Sequence, residues 1–390
     1  MDGNSELKST PLVRARALGA ALEAAADEIE RTQSLPEPLL TRLHESRLLR
    51  LSIPKSLGGE EAAPADYLLA VEEIARHEGS VGWNLFVANA ASLIAPYIPL
   101  DSAQAIFSDP RALVAWGPPN AIKAKAVDGG YRVNGRWDFA SGCRLATWMG
   151  VHCRIEEPDG SLRQDRYGRS MIRTLLFPAE QATLLGNWNP LGLRGTASES
   201  YTVEDIFVPE AFTGLREEPE TRRDPGPLYA FTMYGLYACG VAGTALGIAR
   251  AMLDSFVELA GTKTPRGLSR LADTPAIQSG TARAEAKLGA AKAYLLDILR
   301  EIYARAPESE PIALEDRARI RLAATHAIHT GIETADWVYK QAGVSAIFPG
   351  TPFERRFRDI HTLSQQVQAR DVHYENVGKI IFGERPEPFL

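Results

Sequence analysis

Trp137, Phe139 and Ser141 alternate along a run of strand-forming residues, and alternate residues of a strand share a face. Two aromatic plates followed by a hydroxyl make a wall for a flat, polar-edged ring; the same pattern also describes an ordinary half-buried strand. His326, His329 and Glu333 fall at i, i+3 and i+7 on one helical face, a spacing able to hold a metal. No second Glu-x-x-His element completes that site, so no metal is expected. Gly240, Gly243 and Gly247 lie in an apolar helical run without a preceding strand, which favours close helix packing over a nucleotide loop. Cys143, Cys153 and Cys239 are odd in number and scattered, indicating neither a disulfide framework nor a zinc site. No nucleophile elbow or Cys-His pattern is present.

The elements that must position these residues change period twice. Over residues 1–108, Leu12, Ala15, Leu18, Leu22 and Ile29 recur at helical spacing, and Pro36 and Pro38 open a second helix. A third helix is expected over 66–77, and Ser80 is placed to cap the next, apolar one. Over 109–212 the period becomes two: ALVAWG, AIKAKAV, YRVNGRWDFA, TWMGVHCRI, IRTLLFP, TLLGNWN and SYTVEDIFVP read as short strands of a barrel or sandwich. Asp128-Gly129-Gly130 is a tight turn between two of them, and 156–170 reads as a solvated loop. Over 213–390, helices at 229–260, 275–306, 314–343 and 353–381 predict an antiparallel four-helix bundle.

Composition bounds the function. A chain of 390 residues has room for two or three domains, and a net charge of -6 without a Lys/Arg cluster argues against nucleic acid. Residues 228–249 carry no charge, but their Gly, Ala, Thr and Tyr content and the lack of a second span favour a buried bundle helix over a membrane one. MDGNSELKST has no apolar h-region, so a reducing cytoplasm is the expected location.

Helices, a compact β unit and a four-helix bundle, in that order, describe the acyl-CoA dehydrogenase architecture, an α+β, mainly α fold. GYRVNGRWDFASG resembles the family's flavin-lining strand, and NWNPLGLRGTAS followed by VEDIFVP resembles its second signature. QAGVS resembles the Gly-rich turn late in the bundle, and RRFRDIH the opening of the last helix. The resemblance spans about residues 10–383.

A dehydrogenase of this family needs a carboxylate base to take the substrate α-proton, and the resemblance implies that in many members it lies shortly after the Arg-Asp pair. RDIHTLSQQVQAR holds His361, Gln365, Gln366 and Gln368 there, with no carboxylate before Asp371. SGC and RDIHTLSQQ instead resemble the two-component monooxygenase branch. The resemblance implies reduced flavin (FMNH2 or FADH2) from a separate flavin reductase, O2, and oxygen transfer through a C4a-(hydro)peroxide to nitrogen, sulfur or aromatic carbon. Relatives often carry His where this chain has Gln366 and near Ala91; an amine or sulfur lone pair needs no such base. His373, seven residues beyond Gln366, would return to the same helical face.

By the same resemblance, Ser141 presents its hydroxyl and N–H near flavin N5 and O4, Phe139 and Trp188 flank the ring, and Asn120 meets its pyrimidine edge. Structural readings stand beside each: a strand-ending Ser, core aromatics, a turn Asn. Arg266, with Arg270 as competitor, and the turn of Gly343 and Ser345 would hold the phosphate across a homotetramer interface; Gly343 also reads as a helix C-cap. The fourth helix, with Trp83 and Asn89, would line the substrate pocket. Two rival readings are a dehydrogenase whose base has moved to Glu72 or Glu73, and a flavin-binding scaffold without chemistry.

Overall fold

The computed structural model describes residues 9–166, 168–216, 218–308 and 310–386. Thr10 caps the first helix, accepting the Val13 N–H, with Pro11 in the first turn. Leu18 interrupts the expected first helix, giving α1 (Pro11–Ala17) and α2 (Gly19–Thr32). Next come α3 (Glu37–Glu45), α4 (Pro64–His77), α5 (Gly79–Ser92) and α6 (Leu100–Phe107). Every residue of α5 is buried, so its sequence shows no polar face. Its cap is Glu78 rather than Ser80. Glu78 is the last non-helical residue, and its Oε2 accepts the Val81 N–H at 2.6 Å, whereas Ser80 already lies inside the first turn.

The β unit is one mixed sheet of β1 (Val114–Trp116), β2 (Lys123–Val127), β3 (Gly130–Ala140), β4 (Trp148–Glu156), β5 (Ile172–Pro178), β6 (Thr183–Leu184), β7 (Glu199–Pro209) and β8 (Thr213–Gly214). The order is β6-β7-β3-β2-β4-β5-β8, with β1 parallel to β4. Residues 128–129 turn β2 into β3 as expected, with Val127 opposite Gly130. The expected strand over TLLGNWN shortens to β6, and the rest follows an irregular path back to β7. The 156–170 stretch is more ordered than a solvated loop: bridges join Glu156 to Leu162 and Gln164 to Ser170, and Arg163 donates to the Tyr131 hydroxyl at 2.9 Å.

Trp137, Phe139 and Ser141 do not share a face. Register against β7 slips between Trp137 and Ala140, and Phe139 takes a left-handed φ of 62°. The bulge inserts an unpaired residue, so alternation ends there. Trp137 stays in the β core, stacked on Tyr201 at 5.8 Å, while Phe139 swings out to 64% exposure.

The bundle comprises α7 (Met233–Thr262), α8 (Pro275–Ala304), α9 (Leu314–Ala342) and a last limb in two pieces, α10 (Glu354–Leu363) and α11 (Val372–Ile381). The expected single helix is broken at Gln366, whose Oε1 accepts the Gln368 N–H at 2.6 Å and caps a short 3-10 turn. This side-chain bond competes with helix continuation. The seven-residue helical spacing from Gln366 to His373 therefore does not exist. The apolar run lies in α7; its most apolar window is 89% buried within the protein. Its glycines permit close packing: a Cβ at Gly247 would stand 2.3 Å from the Glu72 carbonyl of α4. Of the three residues weighed for metal binding, His329 bonds to the Ala369 carbonyl and Glu333 to Lys287.

Candidate flavin site

Four polar side chains from distant parts of the sequence meet where β3 ends. The Trp83 Nε1–H of α5 donates to Ser141 Oγ at 3.0 Å. Ser141 Oγ lies 2.6 Å from Ser198 Oγ, which lies 2.7 Å from Thr196 Oγ1. Thr196 Oγ1 donates to the Leu193 carbonyl at 2.8 Å. The Ser141 N–H, expected to face a ligand, donates instead to the Phe139 carbonyl at 3.0 Å.

The backbone here is strained. Phe139, Leu193 and Ala197, three of the seven non-glycine residues with positive φ among those described, all border the cluster. Each such conformation costs on the order of 1–3 kcal/mol and persists where the surroundings over-determine it, often at functional sites. Phe139 meets Trp188 edge to face at 6.4 Å, so the two aromatics expected to flank a ring are paired through space. Trp188 is held in turn by its indole N–H to the Leu193 carbonyl, 3.2 Å, and by Gln33 Nε2 on its own carbonyl, 2.7 Å. Beside Ser141, buried Asn84 has a carboxamide oxygen without a partner, while its nitrogen donates to the Gly195 carbonyl at 3.2 Å.

The Leu193 loop hangs from the bundle. Its N–H donates to Asp359 Oδ1 at 2.6 Å, and the Gly192 N–H donates to Thr362 Oγ1 at 2.8 Å. Asp359 is 1% exposed, and burial drives its pKa upward. Burial does the same to Glu78, 4% exposed, with repulsion from Asp359 adding to it.

The α10–α11 turn carries the residues in question as a base. His373 is 8% exposed; its Nε2 lies 2.8 Å from the Val367 carbonyl and so bears the hydrogen, which leaves a buried, unpartnered Nδ1 lone pair. Burial and then Arg321 hold its pKa down, keeping the ring neutral. Arg321 escaped the sequence reading. It is 1% exposed, donates to Gln368 Oε1 and, at 3.2 Å, to the Tyr234 carbonyl, and burial pushes its pKa down to about 10. Its signal was a cation on the apolar stripe of α9, beside Ile320, Ala323 and Ala324. The relocated-base candidates are engaged elsewhere: Glu72 pairs with Lys292 at 2.8 Å, and Glu73 lies between Arg16 and His77.

A second group forms at the end of α9. Gly343 adopts φ 55°, and Ser345 Oγ accepts from Lys263 Nζ at 2.9 Å, which also donates to the Ala342 carbonyl at 2.6 Å. Lys263, missed in the sequence, thereby ties the loop bearing Arg266 to the Gly-rich turn. Arg266 is exposed, whereas Arg270 is committed to Asp273 at 2.7 Å. Among the described residues of one chain, no hydrogen bond joins this group to the Ser141 cluster.

The remaining expected residues are engaged by backbone groups. Asn120 closes its own loop, donating to the Arg136 carbonyl and accepting the Ile122 N–H. Asn89 is fully buried, donating to the Leu48 and Leu85 carbonyls and accepting the Ser52 N–H. An open groove of about 740 Å3 runs past Leu191, Arg194 and Arg358, but Glu30 and Glu354 neutralise these arginines, so it offers no phosphate cradle.

Residues 14–100 match the acyl-CoA dehydrogenase N-terminal domain and residues 239–370 match the acyl-CoA dehydrogenase C-terminal domain. The chain belongs to the acyl-CoA dehydrogenase family. It is 29% identical to indole-3-acetate monooxygenase of Pseudomonas putida over 98% of this chain and 96% of that one. It is also 29% identical to the flavin-dependent monooxygenase oxygenase subunit HsaA of Rhodococcus jostii, over 89% of this chain and 91% of that one. XiaF from Streptomyces sp., solved with FADH2 and glycerol, has the same fold, with TM-score 0.89 at 24% identity, covering 97% of each chain.

Proposed function

We propose that the protein is the oxygenase component of a two-component flavin-dependent monooxygenase, taking reduced flavin from a separate reductase and using O2 to oxygenate a small organic molecule at nitrogen, sulfur or aromatic carbon. The observation that carries this reading is end-to-end similarity to relatives named as monooxygenases. The α10–α11 turn agrees with it. Gln366, Val367 and Gln368 stand there in place of a carboxylate, and Glu72 and Glu73, the candidates for a relocated base, face Lys292 and Arg16 instead.

The residues fit a flavin. Phe139, forced outward by its left-handed backbone, and Trp188 offer aromatic faces for the ring, and Ser141 and Asn84 offer acceptors at a buried edge. Lys263 and Arg266 supply charge, and Ser345 a hydroxyl, for a phosphate of FMN or FAD. Bound reduced flavin supplies the electrons that activate O2. The chain orients and shields. Trp83 fixes Ser141, the apolar α5 excludes water, and neutral His373 keeps a buried Nδ1 lone pair that can accept a hydrogen bond.

The Lys263 group lies apart from Ser141 within one chain, and exposed Val344, Ile347 and Phe348 surround it, 69%, 53% and 59% accessible. An apolar patch of this kind suits burial by a second copy, in keeping with a homotetramer. Three buried free cysteines accord with a reducing cytoplasm.

The test is to mix the protein anaerobically with reduced FMN or FADH2, add O2, and record absorbance. A transient band distinct from oxidised flavin, and product from phenol, indole, amine or thioether substrates with a reductase present, support the reading. Reoxidation at the rate of free flavin overturns it, and bleaching of bound oxidised FAD by an acyl-CoA would favour a dehydrogenase.

A further inference from the structure

We infer that the Thr196–Ser198–Ser141 hydroxyl chain runs in one fixed direction, and that this direction makes the site select reduced over oxidised flavin. The inference rests on the oxygenase reading, in which Ser141 meets flavin N5.

The direction follows from the two ends. The Leu193 carbonyl has no hydrogen, so Thr196 must spend its only hydroxyl hydrogen on it. Thr196 can then only accept from Ser198, and Ser198, its hydrogen spent, can only accept from Ser141. At the other end the Trp83 indole is a donor and nothing else, so Ser141 accepts from it. A donor-only group and an acceptor-only group therefore fix all three hydroxyls between them. The ends are themselves held: Leu193 by Asp359, and Trp83 by its buried position on α5.

Ser141 is left with no free donor. Its hydroxyl hydrogen goes to Ser198 and its N–H to the Phe139 carbonyl, so one Oγ lone pair remains. N5 of reduced flavin carries a hydrogen that this lone pair can accept. N5 of oxidised flavin carries only a lone pair, and would face another acceptor in a buried place, where an unmade hydrogen bond is costly. Ser198 and Thr196 are thus positioning residues that act through Ser141. A purely structural chain, one that merely docks β7 against α5, would not distinguish the two oxidation states.

The experiment is anaerobic titration of the full-length protein with oxidised and reduced FMN, and with FAD in parallel. The readout is the ratio of the two dissociation constants. The native protein is expected to bind the reduced form more tightly. Ser198→Ala frees the Ser141 hydrogen, and Thr196→Val frees Ser198 to donate back to Ser141; each is expected to cut the ratio about tenfold. For this two-electron couple that is a fall of about 30 mV in the bound-flavin potential. Thr196→Ser and Ser198→Thr keep the chain and should keep the ratio. An unchanged ratio in whichever of Ser198→Ala and Thr196→Val retains native melting overturns the inference while leaving the oxygenase reading intact, as does equal binding of both oxidation states by the native protein. A native protein that binds neither state overturns the oxygenase reading itself.

Discussion

The Asp359 carboxylate accepts the backbone N–H of Leu193 at 2.6 Å, and the carbonyl of that same residue receives both Thr196 Oγ1 and the Trp188 indole. One residue of an irregular loop thus couples the last bundle helices to the hydroxyl chain and to an aromatic face. Asp359 is the acidic half of the Arg-Asp pair recognisable in the sequence, so the motif's structural task here is to place a loop 166 residues away.

The Glu78–Asp359 pair predicts a pH-dependent stability. Both pKa values are raised by burial above their ordinary values, so the folded state holds protons that the unfolded chain releases. The stabilisation is fully present below the ordinary carboxylate range near pH 4 and is lost as pH rises through neutrality. Denaturant melts of the native protein at pH 5 and pH 8 should show lower stability at pH 8 from this source. Glu78→Gln should flatten that difference; an equal slope in both proteins would refute the assignment.

Phe139→Gly separates stability from binding. Glycine adopts the left-handed backbone without strain, and the phenyl ring, 64% exposed, loses little burial. The variant should be more stable by about 1 kcal/mol while binding reduced flavin several-fold more weakly. Urea denaturation and anaerobic titration read the two effects independently.

Arg321→Met exchanges a buried cation for an apolar side chain of similar length. Because no carboxylate among the described residues pairs with Arg321, the net change in stability should stay within about 2 kcal/mol. The turn at Val367–Ala369 loses its anchor at Gln368, so its amides should exchange with deuterium faster than those of α9. Unchanged exchange there would show that the turn holds itself.

Lys263→Met should act through the phosphate. Losing its bonds to the Ala342 carbonyl and Ser345 loosens the Gly343 turn and removes a cation beside Arg266. Affinity for FMN should fall about tenfold relative to affinity for riboflavin, which lacks the phosphate. An equal loss for both ligands would place the phosphate elsewhere.

Periodicity alone disclosed the order of helices, strands and bundle, because burial of one face imposes a repeat of 3.6 or two on residue type. Residue types grouped Trp137, Phe139 and Ser141, a grouping that the bulge breaks; the family resemblance added Trp188, which lies with Phe139 and Ser141 around one loop. Four things lay beyond it. The bulge at Phe139 depends on pairing with β7, the break at Gln366 on a side-chain bond to Gln368, the burial of Arg321 on the turn it meets, and the direction of the hydroxyl chain on Trp83 and Leu193. Local sequence sets which groups can donate or accept; which partner each one finds, across separations of 47 to 58 residues and more, is decided only when the elements pack.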